Sequence, residues 1–393
     1  MSAPELDNIR ERITSLDTEL LGLLAERRGL TNQVAETKIK HHIPVRDQAR
    51  EEQLLIRLIK EGQQHGLDPH YVTQIFHVII EDSVLNQQAM LAERANPGSA
   101  LPLNRVAFLG DRGSYSYLAT QKYFSRRPGD LLEIGCQSFK EVVGKVENNE
   151  ADYAVLPIEN TTSGSINEVY DQLQHTELSI IGELTHAIKH SLLVAKDTTL
   201  SNIKTLYAHP QVFTQCSHFL AELGNVEVKT MDSTSSAMLT VSELNRDDVA
   251  AIGSEAGGNL YGLMAIKSNL ANQKENHSRF IVVAKQPVVV PLQVPAKTTF
   301  VMSTVQKPGA LVEALLILKQ NNINMTKLES RPIHGNPWEE MFYIDVEGNT
   351  QDGPMQKAVD ELKKITRYVK VLGCYPSEEI SPTKVAAGKA LTS

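Results

Sequence analysis

RVAFLGDRGSYS, residues 105–116, reads as a short apolar strand, a turn with two glycines and the start of a helix. A strand-to-helix turn of this kind presents free backbone N–H groups to an anion, although Gly110 and Gly113 equally suit a tight turn. Downstream the alternation continues. ADYAVLPIE (151–159), LSIIGEL (178–184), IKTLYA (203–208), VEVKT (226–230) and DVAAIG (248–253) are short apolar runs between amphipathic stretches. Residues 105–285 therefore predict an α/β domain. Hydroxyls gather where its strands end: PIENTTSGSI (157–166), with Ser165 a candidate helix cap, DSTSSA (232–237), and AHPQ (208–211) beside them. Ligands bind outside the carboxyl ends of strands in open α/β sheets, so an anion-binding cleft is expected. ENHSRF (275–280) adds a hydroxyl and a cation beside a final strand. No GxGxxG and no GxxxxGK[ST] occurs, so a dinucleotide or nucleotide-phosphate site is not supported.

Upstream, ANPGSALPLN (95–104) has linker composition, and residues 5–93 read as helix throughout. Downstream, QPVVVPLQVPAK (286–297) connects to residues 298–376, which read strand, helix, strand, strand, helix, strand. That is the split βαβ pattern. The small, polar tail SPTKVAAGKALTS (381–393) is expected to fray. The expected domains are thus 1–94, 105–285 and 298–376.

The whole chain has 393 residues, 41% apolar and 22% charged, with a formal charge of −8, an ordinary globular composition. The acidic balance argues against a nucleic-acid partner, and aromatics at 5% give no stacking platform. Cys136, Cys216 and Cys374 are widely spaced, which disfavours disulfides and zinc and fits a cytoplasmic setting. Cys216 reads as a buried small residue, not a nucleophile. There is neither a basic-then-apolar leader nor an 18-residue apolar run, so no membrane association is expected.

The first helix, Pro4 to about Lys40, carries Ile9, Ile13, Leu16, Leu20, Leu23, Leu30 and Val34 in alternating steps of four and three, with Arg27 in the same seam. At roughly 50 Å it is too long to pack alone, so a partner helix from another chain is expected. Asp47 is a candidate N-cap of the second helix. Glu51, Ser83 and Gln87 interrupt apolar stripes on the second and third helices, and Lys38 lies three turns beyond Arg27. Singly, these are structural polar groups, such as an Arg27–Glu51 ion pair. Together they suggest a pocket for an anion, since buried charge is costly unless paired or liganded. Arg10 lies roughly 25 Å along the helix from Arg27. If both touch one small ligand, Arg10 comes from a second subunit.

LLAERR (23–28), PVRDQAREE (44–52) and IIEDSVLNQQ (79–88) resemble the all-helical chorismate mutase family, as found at the N-terminus of bifunctional proteins. The likeness implies an all-α, three-helix domain in an intertwined dimer. It implies that Arg10, Arg27, Lys38, Asp47, Arg50, Glu51, Ser83 and Gln87 line the site. Chorismate carries two carboxylates, which suit Arg10, Arg27 and Arg50. Lys38 and Gln87 suit the negative charge that develops on the ether oxygen. Glu51, with Asp47 beside it, suits a substrate hydroxyl.

The motifs of 105–285 together resemble the prephenate dehydratase domain, two α/β lobes around a cleft as in periplasmic binding proteins. Asp111, Ala208 and Ser278 stand where the family commonly has Pro, Ser and Thr. The resemblance implies Ser278 as the donor to the departing 4-hydroxyl and Arg279 as a carboxylate anchor. It also implies Asn160, Thr161, Ser163 and Gln215 as substrate contacts, with Glu159 and His209 ambiguous. GALV (309–312) and ESRP (329–332) resemble the phenylalanine-binding signatures of an α+β, ferredoxin-like ACT domain. Gly309, Ala310, Leu311, Glu329, Ser330 and Arg331 are then the effector residues, Gly309 allowing close approach, and Trp338 a possible reporter of binding. The implied whole is a cytoplasmic homodimer or larger homo-oligomer. It makes phenylpyruvate from chorismate through prephenate under feedback by L-phenylalanine, with no cofactor and no metal. Three rivals remain. A fusion to prephenate dehydrogenase lacks its dinucleotide fingerprint. A non-catalytic amino-acid sensor on the same folds would show no turnover. A DNA-binding regulator would need a basic helix face.

Overall fold

The computed structural model describes residues 3–41, 43–273, 275–333 and 339–378, with side chains from Leu6 onward. Trp338 and the tail 381–393 lie outside the described residues. The chain forms two compact units, residues 1–97 with 291–295, and residues 98–290 with 296–378.

Among the described residues the first unit has three helices: α1 (Ala3–His41), α2 (Gln48–Gln64) and α3 (Pro69–Ala95). The Asp47 carboxylate caps α2 by accepting from the Arg50 N–H at 3.0 Å. Asp68 caps α3 ahead of Pro69, whose missing N–H costs nothing at a helix start. Ala35, Leu55, Ile59, Val72, Ile80, Val84 and Leu91 form the core. Gly62 is needed there, because a Cβ would sit 2.7 Å from Val72 Cγ2. Apart from Arg27 the seam of α1 is not part of this core. Ile9, Ile13, Leu16, Leu20, Leu23, Leu30 and Val34 are all exposed, Leu23 to 58%.

The second unit begins with a lobe built on β1 (Leu103–Leu109), β2 (Asp130–Cys136), β3 (Tyr153–Asn160), the short β4 (Gly164–Ser165) and β5 (Ser179–Ala187). Its helices are α4 (Tyr115–Phe124), α5 (Phe139–Glu147) and α6 (Asn167–His175). A second lobe follows with β6 (Ser191–Val194), β7 (Thr205–Ala208), α7 (Pro210–Gln215), α8 (Ser217–Leu223), β8 (Glu227–Thr230), α9 (Thr234–Leu244), β9 (Val249–Gly253), α10 (Glu255–Leu260) and β10 (Met264–Lys267). The chain then returns, and β11 (His277–Ala284) inserts between β3 and β5. The sheet orders are β2-β1-β3-β11-β5, with β4 on β3, and β10-β6-β9-β7-β8. The lobes are joined by two crossovers, 188–190 and 268–276. These bond to each other, Ile188 N–H to the Asn276 carbonyl at 2.8 Å and Leu270 N–H to the His190 carbonyl at 3.0 Å.

The unit ends in β12 (Ala296–Thr304), α11 (Ala310–Gln320), β13 (Asn324–Pro332), β14 (Glu340–Glu347), α12 (Gly353–Ile365) and β15 (Thr366–Pro376), with antiparallel order β13-β14-β12-β15. Both helices cover one face over Phe300, Met302, Ile344 and Val346. Val301, Tyr343, Leu372 and Tyr375 instead join the core of the first lobe. At Gly373 a Cβ would lie 2.0 Å from the Ile180 carbonyl oxygen, so only glycine lets β15 seat against β5.

Two local expectations are corrected. Ser165 does not cap α6, which starts without a side-chain cap; its hydroxyl donates to Glu329 at 2.5 Å. Gly309 has open space around its Cβ position and a φ of +80°, so its role is conformational and not close approach.

Candidate active site

In the first unit α1 and α3 meet through a charged hydrogen bond. Arg27 Nη1 donates to Ser83 Oγ at 2.5 Å, and Gln87, one turn on, donates from Nε2 to the Ser83 carbonyl at 3.1 Å. Gln87 is buried, and its Oε1 has no partner among the described residues. An orphaned buried carbonyl costs about 1–3 kcal/mol, and Nε2 keeps a second N–H for a bound molecule. Burial holds the Arg27 guanidinium below its usual pKa, partly offset by Asp82.

Around the start of α2 a second group gathers. Lys38 Nζ donates to the Val45 carbonyl. Its pKa is lowered, first by burial, against the pull of Asp47 and Glu51 and with the push of Arg50. Glu51 pairs with Arg46 at 3.3 Å, so the expected structural Arg27–Glu51 pair is not formed, and Arg46 is a residue the sequence reading passed over. Arg10 stands apart, 67% exposed and 3.5 Å from Asp7. Seventeen residues of unbroken helix, about 25 Å, keep it from Arg27 of its own chain.

In the second unit the cleft floor is polar and hydrogen-bonded throughout except at one hydroxyl hydrogen. Asn160, at the end of β3, accepts from the N–H groups of Thr162 and Ser163, both at 2.9 Å. Its Nδ2 donates to Asn276 Oδ1 at 2.8 Å and to Ser278 Oγ at 3.0 Å. Gln215, from α7 in the other lobe, donates to Ser163 Oγ at 3.1 Å and accepts from His190 Nε2 at 2.7 Å. Thr161 sits beside them, its Oγ1 accepting from the His277 N–H at 2.9 Å. Ser278 is buried. Its oxygen receives the Asn160 amide, and among the described residues no acceptor faces its own hydroxyl hydrogen. The Gly-rich turn also reaches across to the second lobe. Gly110 and Gly113 have φ of +84° and +85°, Ser114 caps α4, and the Asp111 N–H reaches Ser235 Oγ at 3.3 Å. Tyr115, His190 and Asn276 belong to this network, and sequence reasoning had assigned them no role. Cys216 is fully buried, with its thiol pushed up to about 12 by burial. His209 caps α7, accepting from the Gln211 N–H.

Arg279 is the main correction. Neighbours on a strand face opposite ways, so Arg279 turns from the cleft toward the C-terminal sheet. Its guanidinium meets Glu183 at 2.8 Å, Glu159 at 3.2 Å, Asp345 at 2.5 Å and the Tyr375 hydroxyl at 3.1 Å. Burial alone would lower its pKa; Asp345, Tyr375 and Glu183 raise it instead. It is not a free anchor for a substrate carboxylate. Glu159 faces the same way and also holds Lys327. Burial pushes the Glu159 pKa up, but Lys327 and Arg279 bring it below the usual value.

The effector candidates are divided. Glu329 and Arg331 turn toward the first lobe, Glu329 to Ser165 and Arg331 in a fork to Asp171 at 2.9–3.1 Å. Ser330 faces the other way and is exposed. Gly309, Ala310 and Leu311 form the start of α11, and no hydrogen bond or ion pair ties them to 329–331 among the described residues.

A three-helix unit with clustered cations is thus followed by a two-lobed α/β unit whose lobes meet in an amide–hydroxyl network. The family model of chorismate mutase type II matches residues 9–88, and that of prephenate dehydratase matches 106–288. The chain is 54% identical over 377 residues to the bifunctional chorismate mutase/prephenate dehydratase of Escherichia coli strain K12, covering 95% of this chain and 97% of that one. It is 30% identical to the protein of that name from Aquifex aeolicus, over 95% and 98% of the two chains. A solved prephenate dehydratase from Arthrobacter aurescens, in complex with L-Phe, is 27% identical with a TM-score of 0.64, covering 72% of this chain and 94% of that one. A structure described as a quorum quenching acylase is 30% identical with a TM-score of 0.63, over 70% and 98%. The chain belongs to the bifunctional chorismate mutase/prephenate dehydratase family. It is an enzyme of phenylalanine biosynthesis that rearranges chorismate to prephenate and converts prephenate to phenylpyruvate. The non-catalytic sensor is not favoured.

Proposed function

We propose that the two reactions run at the two sites described, with roles for each residue. At the first, Arg27 and Arg50 of one chain and Arg10 of a second copy hold the two carboxylates of chorismate. Lys38 and Gln87 donate to the ether oxygen as it gains charge, and Glu51 beside Asp47 takes the hydroxyl. Ser83 fixes Arg27. No covalent step falls to the protein, so holding the reactive conformer supplies part of the rate. The seven exposed apolar residues of the α1 seam support the second copy, since burying each stabilises by about 1.5–3 kcal/mol.

At the second site the bond from the ring to the carboxylate breaks and CO2 leaves. The electron pair enters the ring, the C4–O bond breaks, and the oxygen takes up a proton to leave as water, one proton being consumed overall. Ser278 donates the hydrogen bond that eases this departure. The observation that carries this reading is the Asn160–Ser278 bond: it occupies the serine oxygen and leaves the hydroxyl hydrogen for the substrate.

Feedback by L-phenylalanine fits a module at 298–376 of the ACT type, with Gly309–Leu311 and Glu329–Arg331 as effector contacts. A relative solved with L-Phe supports the ligand. The strand alternation supplies a route. Arg279 and Glu159, held by Asp345 and Lys327 of the module, are the chain neighbours of Ser278 and Asn160 in the cleft. A ligand acts through this route only if it binds two arrangements of the module unequally. Three free cysteines, all buried, are compatible with a reducing cytoplasm.

One assay tests the whole. The full chain is supplied with chorismate, prephenate and phenylpyruvate are resolved over time, and L-phenylalanine is then added. Phenylpyruvate accumulation suppressed by L-phenylalanine supports all three assignments. Prephenate that accumulates and persists removes the Ser278 site.

A further inference from the structure

We propose that His190 is a positioning residue for the dehydration, holding the Gln215 amide so that Ser278 keeps its hydroxyl hydrogen for the substrate. Two backbone N–H groups, of Thr162 and Ser163, point at one end of the Asn160 amide and settle that it is oxygen. Asn160 Nδ2 therefore donates, its two hydrogens shared among Asn276 Oδ1, Ser278 Oγ and the His277 carbonyl at 3.1 Å. The other end of Asn276 must then donate, and it meets Gln215 Oε1 at 3.3 Å. The same oxygen lies 2.7 Å from His190 Nε2, so the imidazole carries its hydrogen there. Its Nδ1 faces the Tyr115 hydroxyl at 3.1 Å. Each amide in the chain is fixed by its neighbour, and the hydrogen left over is that of Ser278.

The placement gives His190 leverage. It lies in crossover 188–190, Asn276 ends the return crossover, Gln215 comes from the second lobe, and Asn160 and Ser278 from the first. Gln215 reaches across the lobes to Ser163 and Asn160, and His190 makes the shorter of the two bonds to the Gln215 oxygen. Burial holds the imidazole below its usual pKa, against the Gln215 bond that raises it. If Gln215 turned over, its Nε2 would meet Asn276 Nδ2, donor against donor. That misfit would pass through Asn160 to Ser278. Yet losing the ring orphans neither partner. Gln215 keeps Asn276, and the Tyr115 hydroxyl keeps the Lys189 carbonyl at 2.8 Å.

This inference rests on Ser278 as the cleft's donor. The test uses the full chain with prephenate as substrate and chorismate turnover as an internal control. H190L should lower kcat roughly 10- to 100-fold with KM nearly unchanged, the mark of lost alignment. H190Q, which returns an N–H near the position of Nε2, should recover most of kcat. Chorismate turnover should be unchanged in both. Selective 15N labelling of histidine in the unsubstituted protein should show the hydrogen of His190 on Nε2. Full kcat in H190L, equal loss in folded H190Q and H190L, or a hydrogen on Nδ1 alone overturns the proposal. If H190L does not fold, the nitrogen shifts decide. S278A run alongside separates the two readings: an active S278A removes the donor itself, whatever His190 does.

Discussion

Ser278 and Arg279 are adjacent in sequence and belong to different parts of the molecule. One closes the cleft; the other fastens the C-terminal module to the first lobe. The motif around them is legible in the sequence as a hydroxyl beside a cation, but side chains adjacent on a strand face opposite ways, which takes Arg279 away from the substrate. Glu159 and Asn160 on the neighbouring strand repeat the arrangement. His190 carried no legible signal, because a lone histidine between two apolar runs has meaning only once the crossovers are known. Arg279→Lys keeps the charge but loses the planar fork. Each hydrogen bond so lost to a charged partner costs about 1.5–3 kcal/mol. We expect a lower melting transition of the second unit and a weaker response of phenylpyruvate formation to L-phenylalanine, with chorismate turnover unchanged. An unchanged response to L-phenylalanine in folded R279K would remove this route.

Among the elements, α1 was the most legible. Its seam, its length and the cap of the next helix all follow from local spacing, and the structure shows one helix from Ala3 to His41. What α1 covers was legible only as an expectation. If Arg10 completes the site of another chain, mixed dimers of R10A and R27A each contain one intact site. Mixing two inactive variants should then restore about a quarter of wild-type mutase activity, the share expected from random pairing in a two-fold dimer. No recovery after exchange, checked by sedimentation, would return Arg10 to its own chain. The strand order was less legible. That β11 returns from the second lobe to lie between β3 and β5 depends on long-range pairing, which local patterns do not record. The seat of β15 depends likewise on Gly373. Gly373→Ala should destabilise the second unit by a few kcal/mol, an overpacking cost, read as a lower denaturant midpoint; an unchanged midpoint would mean the strands part at no cost.

For the whole molecule, three buried or half-buried imidazoles set a direction with pH. Burial lowers the pKa values of His186, to about 4, and of His190 and His209. Unfolded, such groups bind protons near pH 6.5. The unfolded chain therefore binds more protons than the folded one below that pH, and stability falls as pH drops from about 6.5 toward 4. Glu159, whose folded pKa is depressed, adds stability above about 4.3 that is lost as pH falls further. Denaturant midpoints of the second unit should decline across the first window, and H186Q should flatten part of that decline. A flat wild-type profile from pH 7 to 4 would contradict imidazoles held neutral by the fold.

The central claim is that one chain carries two separate active sites, one in each unit. Its most direct measurement is both activities, each from its own supplied substrate, on full-length R27A and S278A. R27A should lose chorismate turnover by roughly 100-fold or more and still convert prephenate. S278A should lose prephenate conversion by roughly 100- to 10,000-fold and still consume chorismate. Loss of both activities in either folded variant, or phenylpyruvate formation by S278A at the wild-type rate, would contradict the account.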